Sequence, residues 1–232
     1  KRGLAPDQFL ELTNTKDNNN GDEESKDDEA DLVSLDPQSN QSLIDSNSNY
    51  LLENGYGHVK DVAVGTVFAD RVALSDAYIH RQPQRGIYQK GSAIVINDGY
   101  DNFDHGSYFV YTGEGRNADQ ELIRGNEGLI NSFNFAYPIR VSRGSKPVGS
   151  RYSCTSGYRY DGLYLIKDYF YVLDEIENRM VYRFIFESIP GESSFDPDES
   201  TRHLFYNEYL PSIGLVDDSF VSPSKTSDTL DD

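Results

Sequence analysis

The chain has 232 residues, 37% of them hydrophobic and 12% aromatic, a length that allows one or two domains. Its single cysteine, Cys154, excludes an intrachain disulfide and fits a reducing compartment, and no run of 18 apolar residues is present to cross a membrane as a helix. A formal net charge of −18 would argue against a nucleic-acid partner if it were uniform, but residues 1–56 carry −9, residues 191–232 carry −8, and the middle is near neutral at −1.

Lys1–Asn54 is low in complexity. Asp17–Asp31 reads DNNNGDEESKDDEAD, and Asp36–Asn49 is rich in Ser, Asn and Gln. So little apolar surface cannot offset chain entropy, which predicts a disordered, acidic region over 1–55 acting as a solvated linker. No signal-peptide pattern is visible, and the first residue is Lys rather than Met, which suggests a fragment of a longer protein.

An ordered domain is expected over 57–190. Ala63–Leu74 alternates enough to be one strand, or two with a kink at Gly65. Ala77–Gly86 is a loop exposing His80, Arg81, Gln84 and Arg85. Ser92–Asn97 and Ser107–Tyr111, rich in Ile, Val, Tyr and Phe, are strands on either side of the polar loop Asp98–Gly106. Asn117 is placed to cap a helix over Ala118–Phe133, with Asp119 and Glu121 in its first turn and Leu122, Leu129 and Phe133 on an apolar stripe. Gly125 and Gly128 each weaken such a helix by about 1 kcal/mol, which predicts a break or tight packing there.

Pro138–Arg143 is a further strand, and Gly144–Gly157 is a long loop carrying Lys146 and Arg151. Gly162–Lys167, Tyr169–Leu173 and Met180–Ile189 are strand patterns; in the last, Tyr182, Phe184 and Phe186 share one face and Val181, Arg183 and Ile185 the other. Pro190-Gly191 ends the domain. Residues 191–232 form a mostly disordered acidic tail in which His203–Leu210 makes a short helix. Many short strands with one good helix give an α+β class, mainly β, arranged as a mixed barrel with helices at its side.

Little in the chain supports catalysis. His58, His80, His105 and His203 show no metal-ligand spacing, and there is no C-x-x-C, H-E-x-x-H, G-x-S-x-G or P-loop. Gly113–Ala118 fits G-x-G-x-x-A, but Glu114 would set a carboxylate against a pyrophosphate and no ribose-binding acid follows at the required spacing. Asp104-His105 is better read as a turn-holding hydrogen bond than as an acid–base pair. No catalytic residue, cofactor or metal is assigned. Tyr100 and Tyr111, with acids and amides between them, could hold a flat polar ring such as an unstacked base; on the strand-and-loop pattern alone, packing within the sheet is the better reading.

GYDNFDHGSYFVYTGEG, Gly99–Gly115, resembles the signature of the SRA domain (SET- and RING-associated, also called YDG), whose pattern runs roughly GGYEDDxDxGxxxxYTGxGG. Further pieces follow in order: Tyr78-Ile-His80-Arg81, Gly86-Ile87, Asp119-Gln-Glu-Leu122, Arg124-Gly-Asn126, Pro138-Ile-Arg-Val-Ser-Arg143 and Gly157-Tyr-Arg-Tyr-Asp-Gly-Leu-Tyr164. The resemblance covers about Gly57 to Pro190. It implies a PUA-like curved β-barrel and a DNA-binding reader that flips a modified, methylated cytosine out of the duplex. Gly99, Tyr100, Asp101, Asn102, Tyr111, Thr112 and Gly113 would form the base pocket, with Gln84 and Arg85 on a thumb entering the minor groove. Arg81, Arg116, Arg140, Arg143, Lys146 and Arg151 would contact phosphates.

Two departures from the pattern stand out. The pocket loop is one residue shorter, so Asn102, or alternatively Asp101, falls where the family's base-reading carboxylate sits. An amide can turn either an acceptor or a donor inward. Only Glu114–Ala118 precedes Asp119-Gln120, which predicts weak or no CpG context preference. Other readings are a scaffold whose acidic tails bind histones or other basic proteins, and the recognition part of a modification-dependent restriction nuclease. The acidic Asn/Ser-rich flanks lean towards a eukaryotic nuclear protein; otherwise the cytoplasm is expected.

Overall fold

The structure, a computed structural model, describes residues 55–88, 90–97, 103–145 and 150–215. The expected disorder of 1–54 and the residues Gly99, Tyr100, Asp101, Asn102 and Lys146 lie outside these. The chain divides into a β domain running to Pro197 and a unit beginning at Asp198.

Seven strands form one sheet: β1 Val67–Phe68, β2 Ala93–Ile96, β3 Phe103–Asp104, β4 Tyr108–Thr112, β5 Ile139–Gly144, β6 Tyr158–Asp174 and β7 Arg179–Ser193. The order is β2-β5-β6-β7-β4-β3, with β1 added to β6. Only β2 and β5 run parallel. The sheet curls back on itself, for the Tyr111 hydroxyl on β4, the strand next to the β3 edge, lies 3.4 Å from the Val95 carbonyl oxygen on β2 at the other edge. The interior is filled by Ile94 and Ile96 (β2), Phe109 and Tyr111 (β4), Val141 (β5), Tyr164 and Ile166 (β6) and Tyr182, Phe184 and Phe186 (β7). Of the two faces expected for Met180–Ile189, that of Tyr182, Phe184 and Phe186 points into this interior. Val181 and Ile185 are buried too, because that outer face is also covered.

Some elements differ from expectation. Ala63–Leu74 is not a strand pair: only Val67–Phe68 is extended, and helix α1, Arg71–Asp76, follows. The Asp70 carboxylate accepts from the Val72 and Ala73 N–H groups, an N-cap that overrides the weak alternation. The central helix, α2, spans Arg124–Asn134 rather than starting at Ala118. Residues 118–123 are held away from helical geometry because the Asp119 carboxylate accepts from Met180 N–H and Gln120 N–H donates to the Met180 carbonyl. Gly125 and Gly128 mark tight packing, not a break: a Cβ on Gly125 would sit 2.8 Å from Ile87 Cβ, and one on Gly91 would sit 2.2 Å from the Gly128 carbonyl oxygen. The two strand patterns Gly162–Lys167 and Tyr169–Leu173 are one strand with register shifts at Gly162/Tyr164 and Ile166/Asp168, and its partner β7 continues past Pro190 to Ser193.

In the second unit, helix α3 Glu199–Leu204 runs through a π-helical turn, Phe205–Tyr209, into a last turn, α4 Leu210–Ser212. Asp198 caps it by accepting from Thr201 N–H at 2.8 Å. The short helix expected at His203–Leu210 falls inside this run.

Candidate nucleic-acid interface

Strand β4 carries two of the residues expected in the pocket, on its opposite faces. Tyr111 faces the barrel interior, 2% exposed, its ring edge-on to Phe186. Thr112 is buried, its hydroxyl accepting from the Arg183 guanidinium opposite it on β7. Gly86 must lack a side chain because a Cβ there would lie 2.6 Å from the Tyr111 hydroxyl. That close approach brings the loop carrying Gln84 and Arg85 against Tyr111. The same loop is stapled from below by Arg71, which donates from Nε to the Pro83 carbonyl at 3.1 Å and from Nη2 to those of Gln82 and Arg85.

The segment beyond Gly113 is braced by two buried amides. Gln120 Nε2 donates to the Gly113 carbonyl at 2.6 Å, and its Oε1 accepts from Tyr182 N–H. Asn126 Oδ1 accepts from Glu114 N–H, while its Nδ2 donates to the carbonyls of Glu114 and Glu121. Arg179 adds a bond from Nη1 to the Gly115 carbonyl at 2.6 Å. Gly113 itself is fixed by these amides, since a Cβ would meet Asn126 Oδ1 at 2.5 Å and Gln120 Oε1 at 2.6 Å. The sequence carries no signal for Arg71 or Arg179 as braces, and Gln120 and Asn126 are marked only by lying within the motif pieces Asp119–Leu122 and Arg124–Asn126.

Between the loop carrying Gln84 and Arg85 and this segment lies a cleft of about 750 Å³, lined by Gln84, Arg85, Tyr111, Thr112, Glu114 and Arg116 among others. Gln84 and Arg116 are exposed, and Arg85 is partly so. Arg81 is exposed with its guanidinium 4.8 Å over the Tyr78 ring, and Arg151 is exposed with Nη2 donating to the Tyr152 hydroxyl at 2.7 Å.

Arg140 and Arg143 correct the expectation of phosphate contact. Arg143 is fully buried and its five N–H groups are all spent: on both oxygens of Asp104, on Asp161, on the Tyr164 hydroxyl and on the Gly106 carbonyl. Arg140, 3% exposed, donates to the carbonyls of Ile79, Gly55 and Gly57 and to Ser92 Oγ. Arg143 has no donor left to offer a phosphate, and Arg140, with four of its five donors bonded, is too deeply buried to reach one. Burial alone would raise the Asp104 carboxyl, but the charge and hydrogen bonds of Arg143 outweigh it and hold the group below the usual carboxylate range. Asp104 therefore fixes the turn before Gly106, whose N–H it also accepts at 3.0 Å. Asp161, the acid of the Tyr160-Asp161-Gly162 motif, serves the same arginine from β6.

Among the described residues no group of three His, Cys, Asp or Glu side chains is placed to hold a metal ion, and no helix is long and apolar enough to cross a membrane.

Residues 55–192 match the SAD/SRA domain family. The H3 lysine-9 specific histone-lysine N-methyltransferase SUVH5 of Arabidopsis thaliana is 31% identical over 198 residues, covering 76% of this chain and 25% of that protein. The E3 ubiquitin-protein ligase UHRF1 of Danio rerio is 33% identical over 149 residues, 50% of this chain and 19% of the ligase. The chain thus spans a quarter or less of the length of these two relatives. Among solved structures, the SRA domain of SUVH5 in complex with fully methylated CG DNA aligns with a TM-score of 0.52 and 33% identity over 61% of this chain and 99% of that one. The modification-dependent TagI restriction endonuclease aligns with a TM-score of 0.55 and 34% identity over 58% of this chain and 52% of the nuclease. The fold is that of these SRA neighbours, a PUA-like, mainly β architecture, and the chain belongs to the SAD/SRA domain family.

Proposed function

We propose that the β domain reads double-stranded DNA by taking a flipped, methylated cytosine into the cleft at the end of β4. One observation carries the reading: Gln84 and Arg85, Tyr111 and Thr112, and Arg116, from separate stretches of the chain, line a single cleft with room to admit a base. Flipping costs a few kcal/mol of pairing and stacking, and an aromatic face returns about 1–3 kcal/mol per base. Tyr111 is held in place before any ligand arrives, so little ordering cost falls on binding. Tyr100 is the second face, and Asn102 or Asp101 reads the exocyclic amino group. Gln84 enters the minor groove, and Arg81, Arg116, Lys146 and Arg151 contact phosphates; Arg140 and Arg143 take no part. Support also comes from SUVH5 SRA domains solved with methylated and hydroxymethylated DNA. The short segment 114–118 leaves CpG context weakly read. The domain itself carries no catalysis, works in the nucleus, and its acidic flanks engage histones or other basic proteins.

The test is a titration with duplexes carrying 2-aminopurine beside cytosine, 5-methylcytosine or 5-hydroxymethylcytosine at fixed low salt. Tighter binding to a modified duplex, with a rise in 2-aminopurine signal, is expected, and Tyr100→Ala and Tyr111→Ala should abolish both. Mutants that bind like the parent would sink base flipping and favour a protein-binding scaffold. A second reading, the recognition half of a modification-dependent restriction system, is favoured by the TagI neighbour; it requires a nuclease domain on the full-length protein, which sequencing the complete gene would reveal.

A further inference from the structure

A carboxylate in a DNA-binding cleft repels phosphates, yet Glu114 stands in this one. Its Oε1 accepts from Arg85 Nη1 at 3.1 Å and from Gly125 N–H at 3.0 Å, at the start of α2. The site is shaped around it, because a Cβ on residue 125 would lie 3.0 Å from Glu114 Cδ. The Glu114 backbone is bound at both its N–H and its carbonyl by Asn126. The carboxylate is thus fixed on a rigid element and holds the guanidinium of Arg85, the residue next to Gln84. Across the whole cleft the charges balance: Arg85, Arg116 and Arg124 face Glu114, Asp119 and Glu121.

From this geometry we infer that Glu114 is a specificity-determining residue: it withholds the charge of Arg85 from the DNA backbone, so that affinity depends on filling the base pocket rather than on phosphate attraction. The inference rests on the proposal that this cleft faces DNA. A cation freed from such a pair gains about one phosphate contact, which steepens the dependence of log K on log salt by about 0.9. The same contact raises affinity for any duplex, whatever its bases. Partly exposed, the Arg85–Glu114 pair contributes little to stability, so its effect is separable from folding.

The experiment uses the full chain as parent, Glu114→Gln, Arg85→Ala and the double variant, titrated with matched 5-methylcytosine and cytosine duplexes over a series of salt concentrations. Glutamine keeps an oxygen for Gly125 N–H. Glu114→Gln is expected to tighten binding to the unmodified duplex about three- to tenfold and to steepen its salt slope by about one. Discrimination between the duplexes then falls, and the double variant loses these gains. If Glu114→Gln weakens both duplexes alike or changes nothing, or if the gain persists without Arg85, charge masking is overturned. A parent that binds both duplexes alike, while Glu114→Gln still tightens and steepens both, would overturn base reading and leave the masking intact. If no variant binds either duplex, both ideas fail.

Discussion

Arginines buried in the β domain and arginines on its rim look alike in the sequence and do opposite jobs. Arg140 and Arg143 lie on β5 with their donors consumed by carbonyls, hydroxyls and carboxylates, whereas Arg81, Arg116 and Arg151 stand in solvent on loops. What separates them is register. Every residue of β5 is buried: Ile139 and Val141 face the core, and Arg140, on the opposite face, is covered by Gly55, Gly57 and Ile79, so any charge placed there must be paired inside. A basic residue signals a phosphate contact only where the fold leaves it donors to spare.

The most severe way to test this contrast is Arg143→Ala, which leaves buried Asp104 without its cationic partner and Asp161 with Arg159 alone. A loss of about 3–5 kcal/mol is expected in urea unfolding. An unchanged midpoint would return Arg143 to the rim class. Arg140→Ala strands three carbonyls and should cost about 1–3 kcal/mol in the same assay.

Acid should weaken the interior and spare the rim. Burial, with the nearby charge of Arg71, pushes His80 down to about 3. The unfolded chain takes up a proton near pH 6.5 while the native chain refuses it, so stability falls as pH drops from about 6.5 towards 3, by up to about 1.4 kcal/mol per pH unit. Asp104 acts in the same direction: its depressed native carboxyl gives stability that is full above the ordinary carboxylate range and is lost as pH falls through the native value. His80→Gln should flatten the upper part of that slope in pH-dependent melts. The smallest effect belongs to the rim. Arg151→Ala or Arg116→Ala should move stability by no more than about 0.5 kcal/mol. Each should make the salt dependence of DNA binding shallower by about one unit of slope.

Much of the barrel was legible because its strands are short apolar runs bounded by turn residues: β2, β4, β5 and β7 fall close to where their patterns place them. The errors came where a side chain overrode a pattern. Asp70 turned an alternating stretch into a helix start, and Gln120 with Asp119 bound β7 and delayed α2 until Arg124. The cleft residues Gln84, Arg85, Tyr111, Thr112 and Arg116 were legible as a set only through motif resemblance, since nothing local in each stretch says that they meet. The braces, Arg71, Gln120, Asn126 and Arg179, were not legible, because their partners are backbone atoms that no sequence pattern advertises.

The paired strands β6 and β7 also set the order in which the chain assembles. They form a hairpin closed at Asp174 and Arg179, a local contact that needs no other part of the chain. Strand β4, by contrast, pairs with β7 through Tyr108–Glu187 and its neighbours, across most of the domain's length. During synthesis β4 waits for β7 to emerge, and such distant pairing is slow. Its YFVYT sequence is apolar enough to attract other strands meanwhile. The strand that carries Tyr111 and Thr112 is thus expected among the last to find its place.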